Sequence, residues 1–170
     1  MTQATVAAAY RKKLASNPDG EIELDTLEIS HPDMSKTYFL VADQIPLTAK
    51  LETGADVTFE PSPIGIKGAG NNADMNQSAT FTIPDVDNIL DDEMDRIGLT
   101  SSAYPVFTFR TYLLSDLSYP AWGPVSYEVQ DISQSKGLFT AAVSAPKLNN
   151  KGTGLILTPE LCPLIRGILA

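Results

Sequence analysis

The sequence predicts a mainly β domain of α+β type, an antiparallel sandwich or barrel carrying two helices. Apolar and polar residues alternate in roughly eight to ten short stretches between residues 21 and 146, the spacing of a sandwich or barrel. Gly, Pro, Asn and Asp clusters punctuate these stretches. Two segments break the period of two, at about 3–16 and about 85–97, and both carry helical spacing instead. The expected organisation is an N-terminal helix and linker (1–20), a β body (21–146) and a C-terminal arm (147–170).

Each element has its own warrant. In the first helix Val6, Tyr10 and Leu14 recur every four residues, Ala7 to Ala9 favour helix, and Arg11 to Lys13 sit near the end where the dipole favours cations. Asn17, Pro18, Asp19 and Gly20 stop it. In the next run Leu24 is in phase with Ile22, but Leu27 and Ile29 are out of phase, which predicts a bulge near Asp25 and Thr26. Thr37–Val41 is a dense short strand. Leu47, Ala49 and Leu51, a turn at Thr53–Asp56, then Val57 and Phe59 read as a hairpin, with Ile64 and Ile66 as a short continuation. Residues 67–77 are expected to be an exposed, mobile loop. Ala79, Phe81 and Ile83 form a strand that leads into the central helix. There Asp85 is placed to cap the first turn, Val86, Ile89, Leu90, Met94 and Ile97 form the apolar stripe, and Gly98 is placed to end the helix in a left-handed conformation. Phe107, Phe109, Thr111 and Leu113 line one face of a long strand, a loop follows over 115–124, and Val125–Val129 and Phe139–Val143 form strands joined by a turn at Gln134–Gly137.

Bulk properties narrow the classes. A chain of 170 residues with 43% hydrophobic and 19% charged residues can bury a core without staples. A net charge of −9 disfavours binding to nucleic acid or to anionic membranes. The lone Cys162 excludes an intrachain disulfide, and no run approaches the ~20 apolar residues of a spanning helix. The first residues do not read as a signal peptide, because the basic residues follow the apolar ones, so synthesis in the cytoplasm is expected.

The search for chemistry yields no catalytic residue, no metal ligand set and no cofactor. His31 sits beside Pro32 in a turn and reads as a turn or surface residue, not a general base. Cys162 lies between Leu161 and Pro163 and reads as a small hydrophobe. Asp85, Asp87, Asp91, Asp92, Glu93 and Asp95 lack the alternation of a calcium loop and read as a solvated helix face or a charged contact with a basic partner. Gly65, Gly68 and Gly70 lack a phosphate-loop pattern. Contact residues are the better candidates: Tyr119 and Trp122 in a proline-bearing loop, Leu164, Ile165 and Ile168 in the apolar arm, and Tyr10 and Leu14 on the first helix.

Several stretches resemble a family of tailed-phage and prophage minor tail proteins whose defining domain is of formally unknown function. They are Tyr10, Arg11, Leu14, Ala15, Ser16 and Asn17; Leu24 to Pro32; Leu47, Thr48, Ala49 and Leu51 to Gly54, with Val57, Thr58, Phe59 and Pro61; Ile83 to Arg96 around Val86, Asp87 and Asn88; and Arg110 to Ser118 with Pro120. The C-terminus departs from the family's proline-and-aromatic ending, with Pro163, Leu164 and Ile165 in its place. The resemblance, similar to lambda-type tail-tip proteins, implies a sandwich or barrel of tail-tube or distal-tail type. It implies a virion protein made in the host bacterial cytoplasm, assembling as a hexameric or trimeric ring between the tail tube and the central hub. Its partners would be itself and the tail-tube, tape-measure and hub proteins, with DNA only passing through the lumen and no membrane insertion. A receptor- or carbohydrate-binding module at the tail tip is the alternative function, and a hydrolase using the helix carboxylates a third.

Overall fold

The computed structural model describes residues 3–16, 21–68, 78–85, 87–98, 101 and 103–144. Among the described residues the chain is mainly β with two helices. The elements are α1 (Gln3–Ser16), β1 (Glu23–Ser30), β2 (Tyr38–Val41), β3 (Leu47–Lys50), β4 (Asp56–Pro61), β5 (Gly65–Gly68), β6 (Ser78–Pro84), α2 (Ile89–Asp95), β7 (Val106–Leu113), β8 (Trp122–Ser135) and β9 (Leu138–Ser144). The strands form one sheet in the order β3-β4-β2-β1-β7-β8-β9-β6-β5. Its pairs are antiparallel except β2 with β4, which run parallel, so the sheet is mixed where the sequence predicts an antiparallel one. It is not closed.

Chain length forces this sheet to curl. β4 and β5 stand seven places apart in the strand order. A flat sheet would separate them by roughly 34 Å at ~4.8 Å per strand. Yet only residues 62–64 connect them, and the four steps from Pro61 to Gly65 reach about 14 Å at most. The two ends of the sheet are therefore brought round toward each other, and Ile64 and Ile66 are not a continuation of the β3–β4 hairpin. A groove of about 460 Å³ marks the seam, lined among others by Ala42, Ile64, Thr82 and Leu138. The concave side holds the main core. Leu27 and Ile29 of β1, Leu40 of β2, Phe81 and Ile83 of β6, Phe107 of β7 and Phe139 of β9 meet there, with Leu90 and Met94 of α2.

The opposite face of β1, β2 and β7 is covered by the β3–β4 hairpin, which contributes Leu47, Ala49 and Phe59 to a second core with Leu24, Val41 and Tyr112. This explains the phase change in β1. Its pairing with β7 runs without interruption from Glu23–Leu113 to Ser30–Val106, so the expected bulge is absent. Leu24 and Thr26 are buried under the hairpin, and Leu27 and Ile29 face the concave core. The strand changes its buried side, not its register. β7 is likewise buried on both sides, and register shifts lie instead between β7 and β8, near Phe109 and Thr111, and between β8 and β9, near Val129 and Asp131.

The hairpin closes over a buried charge. Arg110 is only 3% exposed. Its Nε and Nη2 donate to Glu52 Oε2 and Oε1 at 2.9 and 2.8 Å, a bidentate pairing. Nη1 lies 2.7 Å from Glu28 Oε2, an ion-pair distance without hydrogen-bond alignment. The Arg110 carbonyl accepts the Thr26 hydroxyl at 3.1 Å, and Tyr112 donates its hydroxyl to the Lys50 carbonyl at 2.9 Å. Burial works to lower the Arg110 pKa, but the two carboxylates outweigh it and the group stays charged.

α2 is shorter than expected. It starts at Ile89, with Asn88 in the left-handed region (φ 56) and making no side-chain cap. Asp85 caps it from a distance: its buried carboxylate accepts the Leu90 and Asp91 amides at 3.0 and 3.1 Å. The intervening turn, closed by Asn88 N–H to Asp85 O, takes the place of the expected first helical turn. Arg96 ends the helix in right-handed geometry (φ −68), so termination does not wait for Gly98. The β8–β9 turn is tighter than the expected Gln134–Gly137: Gln134 and Ser135 still pair within β8, and Lys136 and Gly137, both at positive φ, make a two-residue hairpin turn. Lys67 and Gly68, expected in a loop, belong to β5; residues 69–77 and the arm from 145 onward lie outside the described residues.

Arg110→Met should lower stability by about 3 kcal/mol, toward the lower end for a broken buried pair because Glu28 and Glu52 keep some solvent. Urea denaturation checks this. The Arg110 hydrogen bonds hold the Glu52 carboxyl below its ordinary value, against the opposing effect of burial. A depressed carboxyl stabilises the fold above its unfolded pKa, and that contribution is lost as pH falls through the folded value. The urea midpoint should therefore drop below about pH 4.3. Glu52→Gln should flatten that limb in part only, because Ser35 and Ser118 lower Glu93 and Asp116 in the same direction.

Candidate functional site

Of the residues expected to make contacts, those that the structure describes lie at the end of the sheet where β1 begins and β7 ends. α1 is held there in cis. Its Lys13 Nζ meets Glu23 Oε1 at 2.9 Å, and Tyr10 packs with Tyr119 against Leu113 and Ala121. Burial, then the nearby Glu23 charge, push the Tyr10 hydroxyl above its ordinary pKa.

The loop after β7 is fixed by its own polar groups. Asp116 Oδ1 accepts the Ser118 amide at 3.0 Å and the Ser118 hydroxyl at 2.6 Å, a local turn that Asp favours. The Leu117 carbonyl accepts the Lys50 amide, and the Thr111 carbonyl accepts the Ala121 amide. Trp122 is already the first residue of β8 and leans edge-on against Phe109, with ring centroids 5.6 Å apart. Gly123 follows at φ +90, with a cis peptide bond to Pro124.

Between α1 and this loop lies a cleft of about 270 Å³, lined by Tyr10, Arg11, Tyr119, Pro120, Trp122 and Gly123 among others. Trp122 remains 41% exposed, and Leu14, one helical turn beyond Tyr10, is 66% exposed. Ile22 and Leu114, linked by a backbone hydrogen bond, are about half exposed nearby in the chain. The structure thus brings Tyr10, Tyr119 and Trp122 together and leaves Leu14 beside them. Leu164, Ile165 and Ile168, like Cys162, lie outside the described residues.

The other candidates have structural explanations. His31 does occupy a turn, but it is buried rather than on the surface. Its Nδ1 accepts the Asp33 amide at 3.1 Å and its Nε2 faces the Ala103 carbonyl at 3.2 Å, which fits a neutral ring donating from Nε2. That arrangement leaves no proton toward the Asp33 carboxylate 3.8 Å away. The acidic segment is not uniformly solvated: Asp85 is the buried cap, and Glu93 is buried against Ser35, accepting its amide at 2.8 Å and its hydroxyl at 2.6 Å. Asp87, Asp92 and Asp95 are exposed. The Asp91 carboxyl is raised, first by burial and then by Asp95, Asp85 and Asp92. Among the described residues no group of His, Cys, Asp and Glu has the arrangement of a metal site.

Sequence reasoning misses Arg110 and the Gly123 corner. A cation between Phe109 and Thr111 in a dense strand is the available sign of the first. The second has none at sequence level, because its need arises from an approach across strands. A Cβ at Gly123 would stand 2.7 Å from the Phe109 carbonyl oxygen. Gly123→Ala should therefore cost at least ~2 kcal/mol from backbone strain and collision, and shift Trp122 emission to the red as the cleft loosens. Thermal melts and fluorescence of this sole tryptophan check both outcomes.

Among curated proteins none matches the chain. Residues 9–152 match a family described as a domain of unknown function, DUF1833. That span runs from the middle of α1 through every described strand, enclosing both cores and the cleft, and the chain belongs to this family.

Proposed function

We propose that this chain is a structural component of a phage tail tip, a ring-forming adaptor that links the tail tube to the central hub and takes part in tail assembly. The observation that carries the reading is the preformed aromatic cleft between α1 and the Tyr119–Gly123 corner, flanked by exposed Leu14. Exposed aromatic and aliphatic groups on a rigid frame are what a protein contact requires. Two further features support it. The curled sheet suits the tail-tube class of sandwich or barrel, and among the described residues its edge strands β3 and β5 each have one side unpaired, a side that could pair with another chain. The sequence resemblance also runs through α1, the β3–β4 hairpin and β7, the elements that build the cleft and the Arg110 clamp. The partners are further copies of the chain and the neighbouring tube, tape-measure and hub proteins, and the site of action is the virion.

A second reading, a carbohydrate- or receptor-binding module at the tail tip, is favoured by one observation: Trp122 and Tyr119 share the cleft, and Trp122 is exposed enough to stack on a sugar. Light scattering with micrographs of the same sample separates the two. The adaptor reading expects a closed ring of six or three, alone or on addition of the tail-tube protein. A particle that stays monomeric under both conditions and whose Trp122 fluorescence is quenched by host glycan would replace it with the second reading.

A further inference from the structure

The two helices lie at opposite ends of the sheet. Trp122, at the cleft, pairs with Thr111, and the Gln134 side-chain amide, twelve residues further along β8, lies against Asn88 and Asp91 of the α2 segment. Twelve residues of strand span up to about 40 Å. α1 bears no acidic residue in its sequence, and its Arg11 is exposed at the rim of the cleft. Lys13 is engaged by Glu23, and Arg11 lines the opening.

α2 has the complementary character. Leu90 and Met94 face the core, while Ile89 stands 49% exposed and Asp92, three residues on, shares its outer side. Asp95 is exposed as well, and Arg96 is held by Glu93 at 3.6 Å. Ile89 is thus an aliphatic side chain standing in solvent among carboxylates. The Asp91 carboxyl is raised, first by burial and then by its acidic neighbours, and Arg96, the cation at the end of this segment, already faces Glu93.

We propose that α2 of one copy docks in the α1 cleft of a second copy, with Ile89 entering between Tyr10, Tyr119 and Trp122, and Asp92 meeting Arg11. The inference rests on the assembly reading above and names its contact. The two surfaces are different patches at opposite ends, so the contact is heterologous. Copies join head to tail and close into a ring when the rotation per step permits.

Charge reversal at these exposed positions tests the contact without disturbing a core. Arg11→Asp and Asp92→Arg should each weaken self-association at least about tenfold, since each makes like charges meet in a self-contact. Mixed in equal amounts the two variants should associate again. The cleft made acidic in one variant then accepts the helix made basic in the other, and the reverse encounter is the native pair. Wild-type Trp122 emission should shift to the blue with rising concentration, and Arg11→Asp should abolish that shift. If wild type associates but neither variant changes its mass, the helix-in-cleft contact is overturned while the adaptor reading stands. If wild type stays monomeric at every concentration, both alone and with tail-tube protein added, self-docking is overturned, and retention of single copies on the tail-tube protein then decides the adaptor reading separately.

Discussion

The structure depends on a guanidinium taken out of water. Arg110 sits on the face of β7 that the β3–β4 hairpin covers, and Glu52 reaches it from the hairpin's own turn. Desolvating that cation is costly, and only a planar, bidentate partner with a second carboxylate nearby offsets the cost. The hairpin therefore has one seating in which the charge is matched. Leu47, Ala49 and Phe59 then supply burial that is strong but not directional. A shift of the hairpin would keep much of its apolar contact and lose Glu52, so the ion pair selects position while the hydrophobic residues supply the energy.

That seating extends to the cleft. Lys50, at the end of β3, bonds through its amide to the Leu117 carbonyl and through its carbonyl to the Tyr112 hydroxyl. The hairpin thus holds both β7 and the loop that carries Tyr119 and Trp122. Burial raises the Tyr112 hydroxyl far above its ordinary pKa, so it remains a donor at any physiological pH. The aromatic groups are presented by a frame that is fixed before any partner arrives, which reduces the ordering entropy that association must overcome.

Much of this is legible where local physics decides. α1, the β3–β4 hairpin with its turn at Gly54 and the β8–β9 turn follow from periodicity and turn chemistry. Residues whose surroundings come from distant segments are harder to read. The change of phase at Thr26 and Leu27 looks like a bulge until one knows that a hairpin covers one half of β1 and a curled sheet the other. His31 looks exposed until Ala103, from far along the chain, closes over it. Asp85 reads as a cap and is one, but it acts across a turn that periodicity treats as helix. At the cleft, residue type marks Tyr119 and Trp122 as anchors, while their convergence with Tyr10 requires the tertiary fold.

The short link between β4 and β5 has a mechanical meaning. Sheets that curl usually hold their curvature through hydrogen bonds around a closed circuit. Here the circuit is completed by covalent chain, residues 62–64, pulled across the mouth of an open seam. The molecule behaves as a split hoop with a strap across the split. Its girth can shrink or shear as the seam slides, but it cannot widen beyond the reach of the strap. Tension applied around such a hoop passes through the interstrand hydrogen bonds and, at the seam, through the covalent strap, while tension along a strand is borne by its own backbone; the split is thus held by peptide bonds although, among the described residues, no strand pairing closes it.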